Sequence, residues 1–243
     1  MTNQQLQKSM VKSMIKAGVH CGHSIQELNP KMKPYLFGEN KGKYVIDIFY
    51  TIRLLSEAVK FVRKIARKNG QFLIVGTNPQ KADFIAHYAQ NAQCHYVTHK
   101  WLGGMLTNWS TIEKRIQILT TLDLQEKSGM LQRMPKKESA VLNKRLAKLR
   151  KYLNGIKYML HLPDAVIVVD QNQDSTAIQE CQKLAIPVIC IVDTNCDPTI
   201  VDIPIPANDD SISSVRLILQ YLLEAIQSER ALVQATEDSR RPA

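Results

Sequence analysis

The hydrophobic pattern of this chain alternates between short apolar runs and longer segments in which apolar residues recur every three or four positions. The short runs predict strands, and runs that are apolar throughout are typical of strands buried on both faces of a parallel sheet. The predicted strands are 44–48, 72–77, 95–97, 165–170 and 187–193, and the predicted helices between and after them are 51–68, 79–91, 174–185 and 211–228. The proline-rich stretch 203–206 is better interpreted as a loop or an edge.

This alternation of strand and helix predicts an α/β domain. Five parallel strands fit a flavodoxin-like sheet with strand order 2-1-3-4-5. A short amphipathic helix over 1–17, ended by Gly18, precedes the first strand. The prolines of the segment 29–35 predict an extended path there.

The alternation stops in the middle of the chain, where two long helical segments, 109–127 and 136–153, follow each other directly. Each carries a heptad-like apolar stripe, and one short turn joins them. This pattern predicts an inserted antiparallel α-helical coiled-coil hairpin that projects from the domain. The predicted organisation is an α/β domain of residues 1–107 and 155–228, a hairpin over 108–154, and a disordered tail over 229–243.

The stretch Trp101 to Ile112 lies where the α/β pattern gives way to the hairpin. Its sequence, W-L-G-G-M-L-T-N-W-S-T-I, contains both tryptophans and the adjacent pair Gly103 and Gly104. Two small residues between large apolar ones predict a tight turn whose backbone closely approaches another group. Asn108 or Ser110 provides the helix N-cap, and the tryptophans are expected to pack as core.

The charge of the chain is polarised along its length. Residues 1–160 contain 27 Lys and Arg and 9 Asp and Glu, a net +18, whereas residues 161–243 contain 5 and 13, a net −8, which together give the overall +10. Such polarity indicates a polyanion bound on one side. A solvated basic face would give the same pattern.

Neither a membrane nor a disulfide framework is indicated. No apolar run approaches the roughly 18 residues of a membrane span, and the charged N-terminus does not resemble a signal peptide. The five cysteines are scattered without a C-x-x-C pair, which fits a reducing compartment. The sequence V-H-C-G-H at 19–23 lacks further ligands at zinc-site spacing, so no metal and no cofactor are expected.

The carboxyl ends of the predicted strands would hold the active site of an enzyme with this fold. That rim contains Asp170 and Asp193, which could share a Mg²⁺ ion. Yet the sequence has neither a P-loop nor a G-x-G-x-x-G motif, and its cysteines and histidines form no nucleophile–base pattern. A nucleotide- or metal-binding enzyme is therefore the less favoured alternative.

Several motifs in fixed order resemble the bacterial and organellar family of small ribosomal subunit protein two. They are V-H-C-G-H, N-P-K-M-K-P-Y, Q-F-L-I-V-G-T, K-W-L-G-G-M-L-T-N-W-S-T-I, L-P-D-A-V-I-V-V-D, I-V-D-T-N-C-D-P and I-P-A-N-D-D. The resemblance spans about Lys16 to Ile226. Cys21 stands where many members have phenylalanine, and the cysteine-containing motifs are most like those of plastid-encoded members.

This resemblance implies a structural, non-enzymatic protein of the small ribosomal subunit, on its solvent side near the junction of head and body. It also implies late assembly, recruitment of the large messenger-RNA-binding protein in bacteria, and a plastid ribosome, with the bacterial cytoplasm as the alternative. The expected partners are small-subunit ribosomal RNA and neighbouring subunit proteins, with no membrane. Besides RNA binding by shape and charge, a protein-interaction role for the hairpin stays open. The expected RNA-binding residues are Lys31, Lys33, Tyr35, Lys41, Lys43, Lys100, Gly103, Gly104, Asn108, Lys114, Arg115, Lys136, Lys137, Lys144, Arg145 and Lys148.

Overall fold

A five-stranded parallel sheet forms the centre of the computed structural model, which describes residues 3–238. The strands of the chain are β1 (Cys21–Ser24), β2 (Leu36–Asn40), β3 (Lys43–Ile46), β4 (Phe72–Val75), β5 (His95–Val97), β6 (Ala165–Val168), β7 (Val188–Val192) and β8 (Ile203–Pro206). The helices are α1 (Asn3–Ala17), α2 (Ile48–Ala66), α3 (Pro79–Asn91), α4 (Trp109–Lys127), α5 (Met130–Arg133), α6 (Lys136–Leu153), α7 (Ser175–Lys183) and α8 (Ile212–Asp238).

The strands of the central sheet are ordered β5-β4-β6-β7-β8, which in chain order is 2-1-3-4-5. The predicted α/β class and the order 2-1-3-4-5 are confirmed, but the strands that occupy this order are each one later in the chain than predicted, because the first predicted strand lies elsewhere. The run 44–48 does not enter this sheet, because Asp47 ends it by capping α2 through the Phe49 N–H. The fifth strand is instead β8, which lies at the edge of the sheet and pairs only with β7. Pro204 and Pro206 have no backbone N–H to donate, and an edge strand tolerates this because it has a neighbour on one side only.

The chain segment before α2 forms a small antiparallel sheet with the strand order β1-β3-β2. Lys41 and Gly42 both adopt positive φ, 51° and 79°, and make the tight turn between β2 and β3. The segment Pro30–Tyr35 is a 3₁₀ helix and not the extended path predicted from its prolines. Pro30 occupies its first turn, where a missing N–H does no harm, and the Asn29 side chain accepts the Lys31 N–H.

The central sheet is buried on both faces, with a separate apolar core on each. Phe72 and Ile74 of β4 face one core, together with residues of α2, α3 and α8 and with Met14 of α1. Leu73 and Val75, which alternate with them, face the other core. We call this second core the arm-side core, because it also contains apolar residues of α4 and α6.

The helices α4 to α6 occupy the segment predicted to project, which we call the arm (109–153). The bounds of α4 and α6 coincide with the predicted helices, and α5 lies in the connection between them. Arg150 near the end of α6 binds both Asp123 and Glu126 near the end of α4. The buried residues of α6 are Leu146 and Leu153, whereas in its N-terminal half Leu142 is partly buried against the same core. The coiled-coil supercoil, and the division into domains 1–107 with 155–228 and 108–154, stay predictions.

The last helix extends beyond its predicted end at residue 228. It continues to Asp238, and the carboxylate of Glu229 is buried and bound by Arg67 of the chain segment after α2. The tail predicted from residue 229 is therefore helical up to 238, and only 239–243 lie outside the described residues. None of the helices in the described part of the chain is long and apolar enough to cross a membrane.

Candidate nucleic-acid interface

The turn that leads from the sheet into the arm, residues 101–107, encloses a single buried carboxylate. We call it the exit turn. Glu180 of α7, 5% exposed, accepts hydrogen bonds from the indole N–H of Trp101 at 2.9 Å and from the backbone N–H of Gly104 at 2.7 Å. It also accepts the N–H of Leu106 at 3.0 Å and the N–H and hydroxyl of Thr107 at 3.1 Å each. Five donors from one short turn thus converge on one side chain.

These donors determine the charge of Glu180. Burial raises the pKa of its carboxyl, but the bonds from Trp101, Thr107, Leu106 and Gly104 outweigh burial and hold the pKa below its ordinary value. The carboxylate is therefore ionised at neutral pH. Sequence reasoning missed Glu180, because it lies in a separate helix 73 residues after Thr107 and follows no recognisable motif.

The two glycines of the exit turn differ in what they contact. Gly104 has a φ of +84°, and a Cβ there would lie 3.3 Å from the Cβ of Asn108. Gly103 is exposed, and a Cβ there would meet nothing within 4 Å. The close backbone approach predicted for this pair is thus found at Gly104, where the group approached is Glu180. Gly103 is open to solvent.

The tryptophans lie on either side of the exit turn, as predicted. Trp101 is buried in the arm-side core, and Trp109 is partly buried against it. Asn108 occupies the N-cap position of α4, but its side-chain oxygen accepts the Thr111 hydroxyl and no backbone N–H. The turn therefore depends on Glu180 more than on its own cap.

Most of the predicted basic residues are exposed and have no carboxylate partner among the described residues. They are Lys33, Lys41, Lys43, Lys100, Lys114, Arg115, Lys136, Lys137, Lys144, Arg145 and Lys148. At the base of the arm the opposite holds, because Arg150 and Lys157 both bind the buried carboxylate of Asp123. Five of these uncompensated positive charges lie on α6, at Lys136, Lys137, Lys144, Arg145 and Lys148.

Two predicted residues of the basic segment 31–43, Lys31 and Tyr35, already make contacts within the chain. The ammonium of Lys31 donates to Asp197 at 2.6 Å and to the Thr199 hydroxyl at 3.0 Å. The bond from Lys31 is the main cause that lowers the pKa of Asp197 to about 2. Tyr35 is half-buried and packs edge-on against Tyr50, with ring centroids 5.9 Å apart. These two side chains are therefore less available to a ligand than Lys33, Lys41 and Lys43.

The carboxyl rim of the sheet is occupied by internal bonds. Asp174 accepts the N–H and the hydroxyl of Thr77 at 3.2 and 2.8 Å, and Asp193 accepts the backbone N–H of Thr194 and, at 3.2 Å, that of Asp209. The buried ammonium of Lys81 donates to the Asp209 carbonyl. Of the two residues considered for Mg²⁺, Asp193 is thus engaged with the loops after the strands, and Asp170 accepts the N–H of Gln173 at 2.9 Å.

One side-chain cluster at this rim has the geometry of a cation site. Ligand atoms of His23, Asp193 and Asp209 all lie within 4.8 Å of one another. His23 faces Asp193 at 3.2 Å and Asp210 at 3.3 Å, and chiefly its bond to Asp193 raises its pKa to about 9. The protonated imidazole thus offsets the carboxylates by itself. The sequence could not indicate this cluster, because His23 lies in β1, far along the chain from Asp193 and Asp209.

The cysteines are not poised for nucleophilic chemistry. Burial raises the pKa of Cys94 to about 11 and those of Cys181 and Cys196 to about 12, and it raises that of Cys190 as well. Thiols with such values are protonated at neutral pH and are poor nucleophiles. Cys21 differs from these four in being exposed, and its sulfur lies 3.8 Å from Nε2 of His20.

Sequence comparisons agree with this geometry. The family model described as Ribosomal protein S2 matches residues 14–229. The chain is 52% identical over 216 residues to the small ribosomal subunit protein uS2c of Mesostigma viride, an alignment that covers 89% of this chain and 95% of that protein. Both matches include the exit turn, the arm and the sheet. The chain belongs to the ribosomal protein S2 family.

Proposed function

We propose that this protein binds small-subunit ribosomal RNA through the arm, the exit turn and the basic loop of residues 31–43. As a member of the ribosomal protein S2 family it is a structural constituent of the small ribosomal subunit and not an enzyme. The similarity to uS2c makes the ribosome that of a plastid. The flavodoxin-like enzyme considered as an alternative has no support from these relationships.

The observation that carries the proposal is the uncompensated charge on α6. Lys136, Lys137, Lys144, Arg145 and Lys148 are exposed there, and Glu138 is the one acidic residue of the helix. A helix face of such composition needs a polyanion to offset its self-repulsion. RNA phosphates supply that charge at regular spacing, and their counterions are released when lysine and arginine replace them.

Binding of this kind reads shape more than sequence. The major groove of an RNA helix is too deep and narrow for side chains, so the arm contacts phosphates and 2′-hydroxyls along the backbone. Lys33 of the 3₁₀ helix and Lys41 and Lys43 of the small antiparallel sheet give a second basic surface. With the arm they would bridge two RNA segments, while the acidic C-terminal third faces solvent or neighbouring subunit proteins.

Charge reversal on the arm tests the proposal. The triple variant Lys144→Glu, Arg145→Glu and Lys148→Glu is compared with Lys183→Glu, an exposed lysine in the acidic third. We expect the triple variant to lose RNA affinity by several orders of magnitude at low salt and to wash off small subunits in moderate salt. The control should behave like the wild type.

Two outcomes would contradict RNA binding by the arm. The first is RNA retention by the triple variant equal to that of the wild type, which would identify the arm as a protein-binding element. The second is an affinity of the wild-type protein that does not change between low and high salt. The measurements are filter binding to small-subunit RNA in a salt series and co-sedimentation with subunits.

A further inference from the structure

We infer that Glu180 is a positioning residue that fixes the direction in which the arm leaves the sheet. The positioning role itself concerns only the arm and the sheet. Its effect on RNA affinity rests on the proposed function. Nothing in the chemistry of α7 otherwise requires an ionised carboxylate, 5% exposed, on the arm side of the sheet.

The first step is the number and direction of the donors. Trp101, Gly104, Leu106 and Thr107 together supply five donors, and both carboxylate oxygens accept at least two. An ionised carboxylate is an acceptor with about four lone-pair sites and no donor of its own. No neutral side chain of similar size could satisfy a turn that presents donors alone.

The second step is the place of these donors in the chain. They extend from Trp101, in the chain after β5, to Thr107, the residue before the N-cap of α4. Fixing both ends of the exit turn on one point of α7 fixes the first residues of α4 relative to the sheet. Gly104 permits this path, because its φ of +84° turns its N–H toward the carboxylate.

The third step is that the rest of the arm does not fix this direction by itself. Asp123 of α4 binds Arg150 of α6, which holds the arm helices to each other, and Lys157, which lies just after the arm. The N-terminal half of α6 has no fully buried residues. The direction of the arm thus depends on the exit turn together with the apolar contacts of α4 and of the C-terminal half of α6 in the arm-side core.

The consequence concerns rigid binding of two RNA segments. An arm held at one angle loses little conformational freedom on binding, whereas an arm that swings must be ordered at the expense of affinity. Glu180 therefore increases RNA affinity without contacting RNA. Its loss should weaken binding but leave the number of phosphate contacts unchanged.

The test measures the arm direction in the full-length protein. One spin label is attached to the exposed native thiol of Cys21 and the other to a thiol introduced at the arm by Glu138→Cys. Glu180→Gln keeps the size of the side chain but turns one acceptor oxygen into a donor that opposes the turn N–H groups. Glu224→Gln, on the exposed face of α8, removes the same charge elsewhere.

We expect Glu180→Gln to broaden the label-to-label distance distribution and Glu224→Gln to leave it unchanged. RNA affinity of Glu180→Gln should fall about tenfold, the range expected when a bound segment must first be ordered, with the slope of log affinity against log salt unchanged. If Glu180→Gln does not fold, Thr107→Val, which removes the hydroxyl donor alone, should give a smaller broadening. A distribution in the folded variants that superimposes on the wild type would overturn the inference.

The failure of the inference is separate from that of the proposed function. Unchanged distances in Glu180→Gln contradict the positioning role, whatever the RNA affinity. Unchanged RNA binding in the arm triple variant contradicts RNA binding by the arm, whatever the distances. A fall in affinity with a reduced salt slope would place Glu180 among determinants of phosphate contact and would also overturn the positioning role.

Discussion

The guanidinium of Arg150 lies 2.7 Å from the buried carboxylate of Asp123 and so joins the two long helices of the arm. Lys157 binds the other oxygen of the same carboxylate. Burial raises the pKa of Asp123, but its bonds to Lys157 and Arg150 outweigh burial and hold the pKa below its ordinary value. Removing this single negative charge leaves two cations without their partner.

We expect Asp123→Asn to lower the free energy of unfolding by roughly 1–3 kcal/mol, the cost of leaving part-buried charges unpaired. The measurement is the midpoint of urea unfolding followed by circular dichroism. Glu113→Gln is the control, because Glu113 is exposed on the same helix and forms no ion pair within the described part of the chain. Equal midpoints for the two variants would show that the pair contributes nothing.

The exit turn provides a matched pair of glycine substitutions. Gly104→Ala should cost about 1–2 kcal/mol, because its φ of +84° is unfavourable for any residue with a Cβ. Gly103→Ala should change stability by less than about 0.5 kcal/mol, because a Cβ there meets nothing. Thermal unfolding of both variants distinguishes them. A Gly103→Ala variant as unstable as Gly104→Ala would refute the described turn.

RNA binding separates these glycines further. If RNA approaches the backbone at Gly103, Gly103→Ala should reduce RNA affinity while its stability stays that of the wild type. An unchanged affinity would remove Gly103 from the proposed RNA-binding residues.

The stability of the protein should fall as the pH rises from about 6.5 to 9. The pKa of His23 is raised from 6.5 to about 9, chiefly by Asp193, so its contribution is fully present below pH 6.5 and is lost as the pH rises through 9. Burial raises the pKa of Asp209 to about 8, which acts in the same direction. Unfolding midpoints at pH 6 to 9.5 should decline less steeply in His23→Gln. Parallel declines in both proteins would contradict a role for His23.

Lys31 and Lys144 should respond differently to removal, although both belong to the proposed RNA-binding set. Lys144→Ala should reduce the salt slope of RNA affinity by about one, because the charge is free. Lys31→Ala should leave the slope unchanged and lower stability by less than about 1 kcal/mol, because Lys31 is bound to Asp197. Equal salt slopes for the two variants would show that the ion pair with Asp197 does not decide whether Lys31 is available to RNA.

Arg230 should stabilise the part of α8 that lies beyond the predicted helix end. Its guanidinium donates to the carbonyls of Ala92, Gln93 and Gly70 at 2.7, 2.9 and 3.0 Å. We expect Arg230→Ala to lower the free energy of unfolding by roughly 1–3 kcal/mol, measured by urea unfolding. The exposed neighbour Gln227→Ala is the control, and a loss as large in that variant would contradict the assignment to these bonds.

The parts of the fold that follow local periodicity could be predicted from the sequence. The arm helices were predicted at their observed bounds, because a stripe of leucines at spacings of three and four is a local signal. The strand order was also correct. The error at 44–48 has a local cause too, since a buried parallel strand and an antiparallel strand with one covered face look alike over four residues.

The parts that depend on distant residues could not be predicted. Glu180 is a single glutamate on an ordinary amphipathic helix, and its five donors become visible only when α7 packs beside the exit turn. The same holds for Lys31, whose partner Asp197 is 166 residues away. Charge counting treated Lys31 as free, because a sequence shows which residues are basic but not which are already neutralised.

The exit turn also bears on the order in which the chain matures. Synthesis releases Trp101 to Thr107 well before Glu180, which follows Thr107 by 73 residues. A growing chain therefore passes through a stage at which the arm is complete but its anchoring carboxylate has not yet been made. Domains begin to fold during synthesis from the N-terminal end, so the arm can acquire its final direction only after α7 has been added. We therefore expect only the completed protein, and not the nascent chain, to hold two RNA segments at a fixed angle.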